Sequence, residues 1–170
     1  MRLTHPHSRV VALVLAAGFS RRLGRPKQEV IFDGETLLAR ARRIASEVAD
    51  EVIVVTQENN PEAEEGMASS IRAGVSAAPP NSRILITLCD QPLVTAEHLR
   101  ALIAVDAPIV ATGYSGIAGV PAVFAPHLVP ELLALRGDVG ARAIIERHGA
   151  HVIPFEDAAK DVDTPLSSRA

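Results

Sequence analysis

The sequence predicts a three-layer α/β fold with a mostly parallel sheet. Two observations carry this prediction: short β-branched and aliphatic runs recur along the chain, and helical patterns with one apolar face separate them. The first run, Val10 to Ala16, is apolar throughout, which is typical of a strand buried on both faces of a parallel sheet. Strands that alternate with helices form such a sheet between two helical layers.

Four further runs have the composition of buried strands. They are Val52 to Val55, Ile84 to Leu88, Ile109 to Thr112, and Val152 to Ile153. Because parallel neighbours are joined by a crossover of a dozen or more residues, a helix is expected between successive runs.

Helical patterns lie in those intervals. Their apolar faces are Leu37, Ala41, Ile44 and Val48; Met67, Ile71, Val75 and Ala78; Leu99, Leu102 and Ile103; and Ala141, Ile144, Ile145 and His148. Thr95 is predicted to cap the third helix and Asp138 the fourth, because short oxygen-bearing side chains accept hydrogen bonds from first-turn amides. Gly149 is predicted to end the fourth helix.

Length and composition indicate one domain. Of the 170 residues, we expect residues 1–9, which are polar and include Pro6, to form a flexible leader, and residues 10–170 to form a single domain. A hydrophobic content of 48% with 22% charged residues excludes a disordered chain.

Charge and cysteine content limit the partners and the compartment. Lys plus Arg is 17 and Asp plus Glu is 20, so the net charge of −3 argues against a nucleic-acid partner. The apolar run from Val10 to Phe19 is too short for a membrane span, so no membrane partner is expected. The single cysteine, Cys89, is interpreted as a small buried residue, and its isolation favours a reducing, cytoplasmic location.

The loop after the first strand, Ala16 to Lys27, carries the strongest chemical signal. Gly18 and Gly24 allow a positive φ and close approach to a ligand, and the exposed amides of such a loop can bind an anion. Arg22 and Lys27 add charge that suits a triphosphate and its departing pyrophosphate. The spacing matches neither GxxxxGK[ST] nor GxGxxG, so these residues alone leave open an exposed turn with solvated arginines.

A second signal is an acid at the end of a strand. Asp90 follows the run Ile84 to Leu88, and Gln91-Pro92 turns the chain away, so the carboxylate is presented where α/β sheets bind ligands. Mg²⁺ prefers oxygen ligands and usually takes one or two carboxylates. Asp90 is therefore a predicted metal ligand, with a turn or N-cap aspartate as the alternative. The second ligand is Asp163 or, with less support, Asp161.

The segment Leu15 to Lys27, LAAGFSRRLGRPK, resembles the signature LAAGxSxRMGxxK of the MobA-like nucleotidyltransferases, with Leu23 in place of the usual methionine. Further similar segments follow in the family's order: NPEAEEGMASSIRAG from Asn60, LCDQPLV from Leu88, GIAGVPAVF from Gly116, LRGDVGAR from Leu135 and DVDTP from Asp161. The NPxxxxGM, LCDQP and RGDxGAR segments are most similar to the molybdenum-cofactor cytidylyltransferase (MocA-like) branch. The guanylyltransferase branch usually carries LAGG.

The resemblance implies a Rossmann-like, Mg²⁺-dependent nucleotidyltransferase that transfers CMP from CTP to the phosphate of molybdopterin and releases pyrophosphate. It implies a nucleotide site formed by Leu15, Ala16, Ala17, Gly18, Ser20, Arg22, Lys27, Ser69 and Ser70. Arg22, Lys27 and Asp90 would be the catalytic residues, and Asp90 and Asp163 the metal ligands. The expected mechanism is in-line attack without a protein nucleophile. A molybdoenzyme or its maturation chaperone is a further implied partner.

The acceptor side is less defined by the sequence. Candidate substrate-binding residues are Gln91, Gly119, Pro121, Arg136, Asp138 and Arg142. A guanidinium fork suits a phosphate, but the same residues are also compatible with a capping aspartate flanked by surface arginines. Ser69 and Ser70 could equally be helix caps. The face that includes Met67 is interpreted as core, without a functional role.

The chain also departs from the family pattern. Thr56 is followed almost directly by Asn60-Pro61, where relatives usually carry a helix and a strand, so the fold is expected to lack one helix–strand unit after the second strand. Two alternative functions therefore stay open: a nucleotidyltransferase for a sugar phosphate or another phosphorylated acceptor, and a non-catalytic accessory protein that binds nucleotide or pterin.

Overall fold

A computed structural model describes residues 8–17 and 27–160 of the chain, apart from the Lys27 side chain. Six strands form the main sheet: β1 (Val10–Leu15), β4 (Glu51–Val55), β5 (Arg83–Leu88), β6 (Ile109–Tyr114), β7 (Ile117–Phe124) and β8 (His151–Pro154). The short strands β2 (Ile31–Phe32) and β3 (Glu35–Thr36) form a separate hairpin. The helices are α1 (Leu37–Ser46), α2 (Met67–Ala77), α3 (Ala96–Ala104), α4 (Val129–Leu133) and α5 (Arg142–His148).

The main sheet has the order β4-β1-β5-β7-β6-β8 and is mostly parallel, as predicted. β1 pairs in parallel with β4 and with β5, and β6 pairs in parallel with β8. The exception is β7, which runs antiparallel to both of its neighbours. β1 is fully buried along its length because it lies inside the sheet and is covered on both faces.

Helices cover both faces of the sheet, which gives the three layers that the sequence predicts. One apolar core contains Leu13 of β1 and is covered by α2, α4 and α5. The other contains Val14 of β1 and is covered by α1 and α3. Successive strand residues point to opposite faces, so a single apolar run supplies both cores. No helix in residues 8–17 and 27–160 has the length and apolar character needed to cross a bilayer.

Two of the three predicted helix caps agree with the structure, and the third does not. The Thr95 hydroxyl accepts a hydrogen bond from the His98 amide, so Thr95 caps α3 as predicted. Gly149, with a φ of +75°, ends α5 as predicted. The prediction that Asp138 caps α5 is wrong: the helix begins at Arg142, and Ala141 occupies the cap position without a side-chain bond. Asp138 precedes that helix by too many residues to reach its first amides.

Three elements were absent from the prediction: the hairpin, α4 and strand β7. The sequence of β7 contains Gly119 and Pro121, residue types that are depleted in strands. β4 forms one edge of the sheet, and residues 56–66 lead from it to α2 through a single 3₁₀ turn, Ala63–Glu65. This connection agrees with the expected lack of a helix–strand unit.

Candidate active site

A cleft of about 380 Å³ opens at the carboxyl ends of β1 and β5. Ligands of α/β sheets bind at this edge, beyond the ends of the strands. The lining comes from the end of β1, the start of α2 and the end of β5: Leu15, Ala16, Ala17, Gln28, Ala63, Glu64, Gly66, Met67, Ser70, Leu88, Cys89, Asp90 and Asp138. The structure thus places the predicted nucleotide-binding residues Leu15, Ala16, Ala17 and Ser70 and the predicted metal ligand Asp90 on one cleft.

The backbone at the end of β1 is held between its neighbours. The Ala16 amide donates to the Val55 carbonyl at 2.7 Å, and the Leu15 carbonyl accepts from the Cys89 amide at 3.3 Å. Ala16 and Ala17 are buried at 3% and 4% exposure, although both line the cleft. This backbone is a rigid wall, because the sheet fixes it on both sides.

The start of α2 forms the opposite wall. Gly66 has a φ of +124°, a conformation that glycine adopts at little cost, and it leads directly into Met67. Ser70 lies one turn further along, at 6% exposure, and still lines the cleft. Ser69 is turned inward, and its hydroxyl donates to the Gly66 carbonyl at 2.8 Å. The alternative that these serines cap the helix is wrong, because both lie inside α2 and Gly66 occupies the cap position without a side-chain bond.

Asn60 orients both serines. Its side-chain amide donates to the hydroxyl oxygens of Ser69 and Ser70 at 3.0 and 3.1 Å, and its carbonyl oxygen accepts from the Glu62 amide at 3.2 Å. Asn60 is only 3% exposed. No role was predicted for Asn60, although a polar residue next to Pro61 at a loop end is a recognisable turn signal.

The turn that carries Asp90 is braced from two sides. On one side, Arg40 of α1 donates through Nε to the Pro92 carbonyl at 2.7 Å, and its guanidinium lies 5.4 Å from the centre of the Phe32 ring. On the other side, the Gln91 side-chain amide donates to the carbonyls of Val120 and Ala158 at 3.2 and 3.1 Å. Both neighbours of that nitrogen are acceptors, which fixes the orientation of the amide.

The donor set of the cleft fits a magnesium-type ion. Asp90 offers a carboxylate at a strand end, and its Oδ1 is shielded from solvent. Within the described residues, no group of three or more His, Cys, Asp or Glu side chains could hold a metal ion unaided. The described residues at this cleft thus offer one carboxylate, Asp90, at the strand end, and Mg²⁺ commonly takes one or two carboxylates and completes its shell with water and substrate phosphate.

A second cavity of about 150 Å³ adjoins the cleft on the β7 side. Its lining is largely apolar: Leu15, Met67, Ile71, Ile86, Leu88, Tyr114, Ile117, Gly119, Val120, Gly140, Ala141 and Arg142. Leu15, Met67 and Leu88 line both spaces. Met67 packs against the core, as predicted, and it also lies at the junction of the cleft and the cavity.

The predicted acceptor residues are distributed unevenly around these two spaces. Asp138 lines the cleft, and Gly119 and Arg142 line the cavity. Arg136 is turned back on the end of α4, where its Nη1 donates to the Leu133 and Leu135 carbonyls at 2.9 and 2.7 Å. Gln91 and Pro121 line neither space, and the Gln91 amide and the Pro121 carbonyl are both engaged in internal hydrogen bonds.

Several predicted site residues lie outside the described part of the chain: Gly18, Ser20, Arg22, Asp161 and Asp163. Lys27 begins the 3₁₀ turn Lys27–Glu29, which leads into the hairpin. Val30 and Phe32 of that segment pack with Leu37 and Leu93, so the hairpin lies against the turn that follows Asp90.

An ion pair at the wall of the cleft also forms hydrogen bonds to the chain before α5, at the Leu135 carbonyl and the Gly137 amide. Arg72 of α2 holds both carboxylate oxygens of Glu65 at 2.7 Å. The Arg72 guanidinium, followed by the Gly137 amide, lowers the pKa of Glu65 from its usual 4.5 to about 2. Glu65 is therefore ionised throughout the physiological pH range.

Comparison with known proteins connects the fold and the site to one family. Residues 12–152 match the profile of the MobA-like NTP transferase domain. The purine catabolism protein PucB of Bacillus subtilis (strain 168) is 29% identical over 189 aligned positions that cover 92% of each chain. The nicotine blue oxidoreductase of Paenarthrobacter nicotinovorans is 29% identical over 188 positions, covering 91% of this chain and 92% of that protein.

A solved structure resembles the chain along nearly its whole length. Rv0371c from Mycobacterium tuberculosis H37Rv superposes with a TM-score of 0.82 and 28% identity, covering 95% of this chain and 96% of that one. A structure of Rv0371c in complex with manganese superposes with a TM-score of 0.76 at 24% identity, covering 94% and 96% of the two chains.

Proposed function

Because the chain belongs to the MobA-like NTP transferase domain family, we propose that this nucleotidyltransferase transfers CMP from CTP to the phosphate of molybdopterin, with Mg²⁺ as the divalent ion. The observation that carries the proposal is the cleft itself. It combines a rigid strand-end backbone at Leu15 to Ala17, the Ser70 hydroxyl and the Asp90 carboxylate around a space of about 380 Å³, a volume typical of small-ligand sites.

The charge of the cleft supports a metal-dependent donor site. Its described lining contains Glu64, Asp90 and Asp138 but no lysine or arginine. A bare triphosphate would be repelled by these carboxylates, so its charge must be offset from elsewhere. The predicted loop residues Arg22 and Lys27 are one source, and Mg²⁺ held by Asp90 is the other; when bound, it would neutralise charge on the triphosphate and on the departing pyrophosphate.

The alanine at position 17 favours the smaller base. Ala17 lies where the guanylyltransferase branch has the first glycine of its LAGG glycine pair, and its methyl group is part of the cleft wall and of the adjoining core. A methyl group at this wall narrows the cleft, and a purine, which is larger than a pyrimidine, is the base that it disfavours. We therefore favour CTP over GTP as the donor.

The second cavity supports a flat, partly apolar acceptor. Its walls are aliphatic residues with Tyr114, which suits a heteroaromatic ring, and Arg142 lies at its lining. The Arg142 side chain is 54% exposed and pairs with Glu146 at 2.8 Å. An exposed pair of this kind is weak, so the guanidinium can exchange its partner for an acceptor phosphate.

The reaction places few demands on the protein beyond position and charge. An acceptor phosphate oxygen forms a bond to the α-phosphorus of the nucleotide, and the bond from that phosphorus to the pyrophosphate oxygen breaks in line. A phosphate monoester has a second pKa near 6 and is already ionised at neutral pH. The acceptor therefore attacks without a general base, and the walls of the cleft and cavity hold the two substrates in alignment.

The test is pyrophosphate release from MgCTP and molybdopterin, with MgGTP and MgATP as alternative donors. Asp90→Asn should lower turnover by about 10²–10³-fold, the usual effect of losing one electrostatic contact in an active site. Asp106→Asn is the matched control, because Asp106 is exposed and lies at the opposite, amino end of β6. Equal rates for the two variants would refute the site.

The acceptor panel separates the alternatives. Release of pyrophosphate with sugar phosphates and not with molybdopterin would retain the chemistry and refute the acceptor. Calorimetric binding of MgCTP without turnover on any acceptor would indicate an accessory protein.

Ala17→Gly tests the choice of base: we expect the ratio of kcat/KM for CTP to that for GTP to fall by about 10-fold, the order of effect of one methyl group in a pocket. An unchanged ratio would contradict the role of Ala17.

A further inference from the structure

Two segments meet between the cleft and the second cavity. One is residues 62–68, which enter α2, and the other is loop 135–141, which leads into α5. Asp138 of this loop lines the cleft, while Gly140 and Ala141 line the cavity. The position of loop 135–141 therefore sets the shape of both spaces.

Arg72 of α2 connects the two segments. Its Nη1 donates to Glu65 Oε2 at 2.7 Å and to the Leu135 carbonyl at 2.8 Å. Its Nη2 donates to Glu65 Oε1 at 2.7 Å and to Glu62 Oε2 at 2.9 Å. The side chain is only 15% exposed, although it lies beside the surface. The paired bonds to Glu65 are the bidentate arrangement that fixes geometry as well as charge.

Glu65 extends this connection to the backbone of the loop. Its Oε2 also accepts from the Gly137 amide at 2.9 Å, and the Gly137 carbonyl accepts from the Ala68 amide at 3.2 Å. Gly137 is thus held by both of its main-chain polar groups. We call Arg72, Glu65, the Leu135 carbonyl and Gly137 the Arg72 cluster.

The approach of the two segments leaves no space for a side chain. A Cβ atom at Gly66 would lie 2.5 Å from Asp138 Oδ1 and 2.8 Å from the Gly137 carbonyl oxygen. Loop 135–141 therefore packs directly on the backbone that begins α2. Contact at this distance requires the loop to be held in one place, which is the effect of the Arg72 cluster.

We propose that Arg72 is a positioning residue. By tying loop 135–141 to residues 62–68, it fixes the part of the active site at which the acceptor is proposed to bind. Arg72 lines neither space itself. It acts through Glu65 and Gly137 on Asp138 and on the chain that reaches Arg142. This inference rests on the proposed function for its kinetic consequence but not for its structural one.

Hydrogen exchange tests the structural consequence without any substrate. In Arg72→Gln we expect the amides of residues 135–141 to exchange about 10-fold faster, while those of β1 and β5 keep their protection, because the loss is local. Arg72→Lys should give an intermediate rate, since an ammonium cannot form the bidentate pair. Arg9→Gln is the control, because Arg9 pairs with Glu51 at 2.9 Å at the other end of the sheet. Unchanged protection of the loop in Arg72→Gln would overturn the proposal.

Gly66→Ala provides a second route to the same result. Its methyl group would push loop 135–141 away while every member of the Arg72 cluster keeps its side chain. We expect the same loss of protection in residues 135–141. Protection equal to that of the unmodified chain would show that loop 135–141 does not pack on the backbone at Gly66, and it would overturn the geometry from which the proposal is argued.

Kinetics test the functional consequence. With MgCTP and molybdopterin, Arg72→Gln should raise the KM for the acceptor about 10-fold with a smaller change in kcat, and Arg72→Lys should recover part of it. A fall in kcat with an unchanged acceptor KM would overturn the positioning role. If the amides of residues 135–141 exchange faster in Arg72→Gln but the unmodified chain transfers no nucleotide, the proposed reaction alone is refuted. If the unmodified chain transfers nucleotide normally but exchange is unchanged in Arg72→Gln, the positioning role of the Arg72 cluster alone is refuted.

Discussion

The packing of α2 on the sheet offers a stability test that also reaches the active site. Gly74 of α2 faces β1 and β4, and a Cβ atom at this position would lie 2.9 Å from Leu13 Cδ1 and 3.2 Å from Val55 Cγ2. Both of those side chains are buried, at 0% and 2% exposure. Gly74→Ala must therefore displace the helix or force Leu13 from its position, and α2 carries Met67 and Ser70 at its other end.

Two effects of opposite sign decide the outcome. Alanine stabilises a helix interior by about 1 kcal/mol relative to glycine. Overpacking a closed core costs about 1–3 kcal/mol, and a contact of 2.9 Å against a fully buried side chain lies towards the upper part of that range. We expect a net destabilisation of about 1–2 kcal/mol, equivalent to a fall in Tm of roughly 2–8 °C for a chain of this size.

The assay is urea unfolding of Gly74→Ala, Leu13→Val and the double variant. Leu13→Val alone should cost about 1 kcal/mol by removing buried carbon. In the double variant the shorter side chain makes room for the new methyl group, so the cost should be less than the sum of the single costs by about 1 kcal/mol. Additive costs, or a stabilised Gly74→Ala, would refute the assignment of the clash to Leu13.

Three further predictions concern single side chains. His98 is buried, and burial lowers its pKa below the usual 6.5. The unfolded chain therefore binds the proton more readily, so stability should fall as the pH drops below about 6.5. His98→Leu should show a smaller fall in urea midpoint between pH 7 and pH 5, and an equal fall in the variant and the unmodified chain would contradict this argument. Arg40→Met should weaken Mn²⁺ binding in the presence of CTP, because Arg40 braces the turn after Asp90. The expected loss of affinity is about 2- to 10-fold, the equivalent of one hydrogen bond. Electron paramagnetic resonance would measure the affinity for Mn²⁺, and an unchanged value would contradict the bracing role of Arg40. Thr95→Ala should destabilise the chain by about 0.5–2 kcal/mol through loss of the α3 cap, and a Tm within error of the unmodified chain would show that the cap is redundant.

The parallel half of the fold was predictable because its sequence pattern is simple. β1, β4 and β5 contain short apolar runs, fully buried in β1, largely buried in β5 and partly buried in the edge strand β4, and each is followed by a helical stripe. β7 was not predicted, because its Gly119 and Pro121 are typical of turns. Its neighbours in the sheet hold it in place, and such tertiary pairing outweighs local preference.

The candidate site shows the same division. Asp90 and the Leu15 to Ala17 backbone were predictable, because they directly follow buried strands and the sheet edge brings strand ends together. The roles of Asn60 and Met67 were not, because they depend on neighbours that the sequence does not reveal: two serines in the first turn of α2, and Gly140 from a distant loop. Helical periodicity assigns Met67 to a core face, which it partly occupies, but periodicity does not show that the same side chain also lines the cleft and the cavity.

The junction between the two spaces locates the chemistry more narrowly than either space does. Leu15 and Leu88 are the last residues of β1 and β5 and are partners in the parallel register, and with Met67 they line both the cleft and the cavity. Asp90 lies two residues beyond Leu88 and lines the cleft but not the cavity. In the proposed reaction, a nucleotide whose phosphates lie at Asp90 would have its reacting end beside these three apolar side chains, which also line the cavity proposed for the acceptor. Apolar side chains at this junction would exclude water and so strengthen the charge interactions of the proposed transfer.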